Sequence, residues 1–357
     1  MVLTVNHFVM VFLANSEGFI HFYLENELKI IIFKGCDFLM VAEEIRFSNA
    51  LKSIARNQEI KRSVQNSKEL YPLLKNGINR FVAGQTRKEG IERVSHLYSK
   101  GYQVSLEFIG ENTISESECR LAKSEFIEII KELGANQIRG TVCLDLSHIG
   151  MMISSSLAYS HLEEVAIAAQ ENDINLILGM EESDKTNKIL SIYKDISKIH
   201  TNVGITLQVH LHRSLSDLKE LLRLPGKIRL VKGAYQEPAE ISIPRSEELN
   251  ERYIEFTSMC IENEHPISIA THDEHLLMDL KARGLLTSLN TEVEMLDGVC
   301  PSLLKTLKEE GIQTKVYVTY GTEWYLYLVH RIAEYPQNIY TFITDIIEQN
   351  NDRMNGY

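Results

Sequence analysis

No two cysteines of this 357-residue chain stand in a CxxC spacing. The five present, Cys36, Cys119, Cys143, Cys260 and Cys300, are widely scattered. That distribution fits reduced thiols in a cytoplasmic protein better than a disulfide frame or a zinc site. Cys143 lies in an apolar run and reads as a small core residue. Positive charge is also short, with 37 Lys and Arg against 49 Asp and Glu and a net charge of −12. A general nucleic-acid binder is therefore not expected, because nothing here would neutralise a run of phosphates. Glycine-rich phosphate loops are missing as well: there is no GxGxxG and no GxxxxGK[ST]. Neither a Rossmann dinucleotide site nor a P-loop is expected. Solenoid repeats and low-complexity stretches are likewise not visible.

The first 38 residues are apolar, yet no Lys or Arg precedes Lys29, so the basic start of a signal peptide is lacking. Asn6, His7, Asn15, Ser16 and Glu17 interrupt the segment too often for a membrane span. The first clean amphipathic helix is "VAEEIRFSNALKSIARNQEIKRSV" (41–64). Translation starting at Met40 explains this, with "FKG" just upstream being a ribosome-binding site read as codons. The expected organisation is an extension over 1–39 that is not native protein, a helical segment over 40–100 and a barrel over 101–357.

From about residue 100, β-branched runs alternate with helical stretches. The runs are "VSLEFIG" (104–110), "TVCLDLS" (141–147), "INLILGME" (174–181), "ITLQVHL" (205–211), "IRLVKGA" (228–234), "ISIATHD" (267–273), "TEVEMLDG" (291–298) and "KVYVTYG" (315–321). Segments such as "SECRLAKSEFIEIIKELG" are long enough to be crossover helices, so the strands should be parallel. Eight βα units without a break in composition point to a closed (β/α)8 barrel. Its active site should lie at the C-terminal strand ends, among polar side chains that include Glu107, Glu181, Gln208, His210, Glu292 and Glu294.

Within "IRLVKGAY", Arg229 and Lys232 beside Gly233 suit a phosphate or the electron-rich end of a flavin ring, with the glycine admitting the ligand closely. A strand-end ion pair is the plainer alternative. "HLHRS" offers an HxH pair, His210 and His212, which with His272 and Asp273 gives a metal-dependent hydrolase as a rival reading. Trp324, Tyr325, Tyr327 and Leu328 read as helix packing, and Arg331 with Glu334 as a pair on one helix face.

In order along the chain come "RFVAGQT" (80–86), "SLEFIGE" (105–111), "LSHIG" (146–150), "MEES" (180–183), "LQVHLHRS" (207–214), "IRLVKGAYQEP" (228–238), "ATHDEHL" (270–276), "EVEMLDGV" (292–299) and "VYVTYGTEWYLYLVHRIAE" (316–334). These blocks resemble the proline dehydrogenase family over roughly residues 45–350. The resemblance implies a distorted (β/α)8 barrel that holds FAD, with N-terminal helices and a last helix closing the mouth. It implies oxidation of L-proline to 1-pyrroline-5-carboxylate, with electrons passing to a quinone or another acceptor. A peripheral membrane contact without an integral segment would suit such an acceptor.

Residue by residue, the resemblance places Arg229 against the flavin ring. Lys232, Gly233 and Ala234 fall in its cofactor loop, and Met180, Gln208, Thr271, His272 and Glu334 at other cofactor contacts. Tyr235, Leu296 and Tyr317 match residues that wall the substrate ring, Tyr317 and Arg229 carrying the catalytic assignment. The substrate side departs from the pattern. The family grips the carboxylate with a strand lysine and an Arg-Arg pair; here those positions read Asp145, His330 and Arg331. Family aspartates are replaced at Gly179 and Asn250, its glutamine at Glu294 and a tyrosine at Asp297. These changes keep two alternatives open, the same chemistry on a different cyclic or secondary amine, and a barrel that binds flavin or a metabolite without turnover.

Overall fold

The structure, a computed structural model, describes residues 57–334, 338–348 and 357, and before them 2–5, 8–11, 22–24, 27–29, 46–47 and 50–51. Side chains are excepted in the four short N-terminal strands and at Gln58, Leu70, Leu73, Asn76, Leu326, His330 and Glu334. The expected start at Met40 lies outside the described residues.

Eight parallel strands close a barrel in sequence order, as the alternation of runs and helices implies. They are β1 (Gln103–Phe108), β2 (Thr141–Leu144), β3 (Asn175–Leu178), β4 (Val203–Gln208), β5 (Ile228–Val231), β6 (Ile267–Ala270), β7 (Thr291–Leu296) and β8 (Thr314–Tyr320). β8 pairs with β1 over Lys315–Tyr320, which closes the ring. All eight sequence runs extend past the strand, by one to three residues, into the loop that follows, and six of these overhangs are the more polar. Those overhangs ("DLS", "GME", "VHL", "KGA", "THD", "DG") carry many of the polar groups at the mouth.

Strand side chains alternate between the helices outside and the barrel interior. Leu106, Val142, Leu176, Ile205, Leu230 and Ile269 belong to the main core, with helix residues such as Phe126, Ile129, Val165 and Ile189. Burying each such side chain stabilises by about 1.5–3 kcal/mol. Three of the seven crossover helices start at side-chain caps that fix the loops before them. Ser154, Ser246 and Asp273 accept from the backbones of Leu157, Leu249 and Leu276, and Thr86 and Glu89 make a reciprocal capping box.

The interior holds a small apolar cluster of Cys143, Ile177 and Tyr317, and below it charged groups. Glu292 is one of these. It was expected at the mouth, but it sits at the opposite end, 2.6 Å from Lys315 Nζ and 2.8 Å from Lys227 Nζ. Residues 292, 294 and 296 share one face of β7, but each step of two residues climbs about 6–7 Å. The same face therefore spans the barrel from floor to rim.

A second hydrophobic core lies beside the barrel. Helix Leu70–Phe81 contributes Ile78 and Phe81, helix Trp324–Glu334 contributes Trp324, Tyr325, Leu328, Val329 and Ile332, and helix Asn338–Glu348 contributes Phe342. The aromatic stripe is thus packing, as its spacing suggested. Gly77 lets two of these helices touch, since a Cβ there would meet the Phe342 ring at 2.5 Å. Arg80 pairs with Asp345, and Lys61 with Glu323 at the start of the last barrel helix.

Candidate active site

A cavity of about 1500 Å³ opens at the C-terminal ends of the strands. Arg229 projects from β5 into its floor. The guanidinium lies over the Tyr317 ring, 4.8 Å from its centroid, with Nη1 3.6 Å from Cys143 Sγ and 3.4 Å from Glu294 Oε1. Tyr317, from β8, donates its hydroxyl to Glu107 Oε2 at 2.7 Å. Burial lifts the Glu107 carboxyl above its ordinary range, against that hydrogen bond and the charges of Arg229 and Arg331. Arg331 reaches the cavity from the last barrel helix and lies 5.1 Å from the centroid of the Tyr327 ring.

The loop after β5 bears Lys232, Gly233, Ala234 and Tyr235, all in the lining. Lys232 Nζ donates to Asn250 Oδ1 and Asp273 Oδ2, so the plainer alternative of a strand-end ion pair is realised in the cavity wall. Burial lowers the lysine's pKa while Asp273 supports its charge. Gly233 was expected to admit a ligand, but its need is internal. At φ +114° a Cβ would meet His210 Nδ1 at 1.6 Å.

Thr271 and His272 follow β6, and Met180 follows β3. His272 Nε2 accepts from the Leu296 backbone N–H at 2.9 Å, which places the proton of the neutral ring on Nδ1. Gln208, at the end of β4, donates through Nε2 to the carbonyls of Met180 and Glu181 at 3.4 and 3.2 Å. Its Oε1 is buried without a partner, as is Arg229 Nε.

Asp145 lines the same cavity after β2. A Cβ on residue 179 would come within 1.8 Å of its Oδ1, so Asp145 fills the space that a side chain there would need. Side chains at 145 and 179 would compete for one space. Burial, then the charges of Glu181, Glu107 and Glu111, push the Asp145 carboxyl well above its usual range, with Arg229 opposing. Burial and the same acidic surroundings raise the Tyr235 hydroxyl.

The sequence model of the proline dehydrogenase family matches residues 90–339. Proline dehydrogenase 1 of Bacillus subtilis subsp. natto is 30% identical over 276 residues, covering 76% of this chain and 91% of that protein. The chain belongs to the proline dehydrogenase family. Proline dehydrogenase of Deinococcus radiodurans is 31% identical over 267 residues, covering 72% of this chain and 86% of its own. Among solved structures, proline utilization A from Bdellovibrio bacteriovorus, inactivated by N-propargylglycine, superposes with a TM-score of 0.69 at 19% identity. That match covers 91% of this chain and 41% of the larger one, and it speaks to the fold. As a proline dehydrogenase family member the chain is an oxidoreductase of the class acting on CH–NH donors, and the family is generally flavin-dependent.

The site residues carried over from the family meet in one cavity, apart from two. His330 and Glu334 are on the helix, but their side chains lie outside the described residues. Asp297 is not in the cavity lining. It forms a buried two-point pair with Arg93, at 2.6 and 2.8 Å, tying β7 to helix Arg87–Ser99. His210 and His212 do not converge: His210 Nδ1 contacts the Lys232 carbonyl at 2.8 Å, and exposed His212 contacts the Ala239 carbonyl. No group of three or more His, Cys, Asp or Glu is placed to hold a metal among the described residues. Sequence reasoning missed Glu111 and the floor position of Cys143. The acidic "FIGE" end of the first run was the available signal for the former.

Proposed function

We propose that this protein binds FAD in the cavity and oxidises L-proline to 1-pyrroline-5-carboxylate. The observation that carries the reading is the floor, where Arg229 is stacked on Tyr317 at the mouth of the barrel. The lining suits a flavin's polar edge. Gln208 Oε1 is a buried acceptor and Arg229 Nε a buried donor, both lacking protein partners and neighbouring one cavity. Met180, Lys232, Ala234, Thr271 and His272 would complete the hold, with the Gly233 backbone between them.

Bound there, FAD supplies the two-electron acceptor for the hydride that leaves the carbon next to the ring nitrogen. The nitrogen gives up a proton, and a cyclic imine remains. Arg229 favours negative charge at the floor, while Tyr317, fixed through Glu107, and Leu296 keep the substrate ring flat. Tyr235 walls the ring from the loop after β5. Arg331 holds the carboxylate, and His330 stands beside it on the same helix. Electrons then pass to a quinone or another acceptor. Among the described residues no helix is long and apolar enough to cross a membrane. Ile114 and Leu121 line the cavity while exposed, giving a lipid-dissolved acceptor an apolar approach.

Anaerobic addition of L-proline to purified protein should bleach the flavin absorbance, with imine appearing in step. Protein that carries flavin but is bleached only by pyrrolidine would replace proline with an amine lacking a carboxylate. Asp145 supplies a sharper test of how the substrate is held. Asp145→Lys should lower KM for proline on the order of tenfold, since a charge-assisted contact contributes roughly 1.5–3 kcal/mol and its usual aspartate neighbour is absent at Gly179. An unchanged KM in that variant would remove Asp145 from the carboxylate's surroundings.

A further inference from the structure

Five charged side chains run through the barrel interior with alternating sign. At the mouth is Arg229, 3.4 Å from Glu294 Oε1. Glu294 Oε2 lies 3.9 Å from Lys315 Nζ, which is 2.6 Å from Glu292 Oε1. Glu292 in turn is 2.8 Å from Lys227 Nζ at the floor's far end. Side-chain exposures of 12% for Arg229, 3% for Glu294, 2% for Lys315 and 2% for Glu292 leave these groups little water. Lys227, at 30%, reaches solvent. Each buried charge has an opposite neighbour, which offsets part of the cost of burying it.

Glu294 occupies a particular place in the series. It stands between two cations, and both distances are long for an ion pair. Its firmest contact is neutral: Ser268 Oγ donates to Oε2 at 3.1 Å. On its other sides Arg229 meets the Tyr317 ring and the Cys143 sulfur, and its charge is also felt by Glu107 and Asp145. The carboxylate of Glu294 therefore offsets part of the positive charge that Arg229 presents upward. In a site of low effective dielectric, a charge at this range is felt strongly by whatever lies against the guanidinium.

We propose that Glu294 is a positioning residue that acts through Arg229 to set how strongly the cavity floor favours reduced over oxidised flavin. The inference rests on the flavin reading above. Taking the charge from Glu294 leaves Arg229 and Lys315 with no anion between them, so the floor becomes more positive. Negative charge on the reduced ring is then better stabilised.

The experiment measures the midpoint potential of the bound flavin in Glu294→Gln, which keeps the shape and the acceptor for Ser268. The preference for reduced flavin should rise about tenfold, a positive shift of roughly 30 mV for a two-electron couple. In an Arg229→Gln background the same substitution should move the potential little, because the residue through which it acts is gone. Glu294→Asp, which retains the charge but withdraws it, should give a smaller shift of the same sign and serves if the glutamine variant does not fold. A flavin potential unmoved in both variants would overturn the inference, and so would a shift that persists without Arg229. Wild-type protein that retains no flavin would overturn the cofactor reading and this inference together.

Discussion

Replacing Arg229 with Ala should cut kcat for proline at least 100-fold while leaving the flavin bound. The loss corresponds to roughly 2.7–4 kcal/mol of transition-state stabilisation, the usual cost of deleting one donor aimed at developing negative charge. The cofactor should stay because the other contacts proposed for it come from separate strands: Met180 after β3, Gln208 on β4, Thr271 and His272 after β6. The deletion also removes the cation above Glu294, which keeps Ser268 and the more distant Lys315. Rapid-mixing measurement of flavin reduction, with the flavin-to-protein ratio taken from absorbance, separates the two effects. Reduction of the Arg229→Ala protein by proline at the wild-type rate would refute the assignment of Arg229 to the chemistry.

The largest loss of stability is expected from Asp297→Ala. Arg93 and Asp297 are 6% and 2% exposed and joined at two points, and the Arg93 guanidinium also lies over the Tyr357 ring. Removing the carboxylate takes the two-point partner from a buried guanidinium, and breaking such a pair costs about 3–5 kcal/mol. Denaturant unfolding should show the midpoint falling by that measure, with Asp297→Asn milder because it retains hydrogen-bonding capacity. Among molecules that remain folded, KM for proline should match the wild type. A raised KM with an unmoved midpoint would return Asp297 to the substrate side, where the resemblance to the family had put it.

The architecture was legible because a parallel barrel writes its strands as short β-branched runs spaced by crossover helices. "TVCLDLS", "ISIATHD" and "KVYVTYG" each contain a strand and point to its functional end. The gathering of Gln208, Arg229, Lys232 and His272 in one cavity was legible for a related reason, since they sit at those ends within recognisable blocks. What spacing could not reveal was height and distant pairing. Glu292 and Glu294 share a face of β7, yet one sits at the far end of the barrel and the other lines the ligand cavity. Asp297 has its partner 204 residues earlier in the chain, and no local pattern announces that. Asp145 and Gly179 each looked like a separate loss. Only their contact shows that the first occupies the room vacated at the second.

The second hydrophobic core gives this enzyme two apolar masses that meet at Cys300. The barrel and its floor are held by one apolar mass, and the helix bearing Arg331 by another shared with the N-terminal helices. Opening the smaller mass exposes few barrel contacts, so it requires less free energy than unfolding the whole chain. Substrate traffic can therefore use a local breathing motion while every strand stays paired. Such a motion would be set by Phe81, Trp324, Leu328 and Phe342, residues of the smaller core that do not line the cavity.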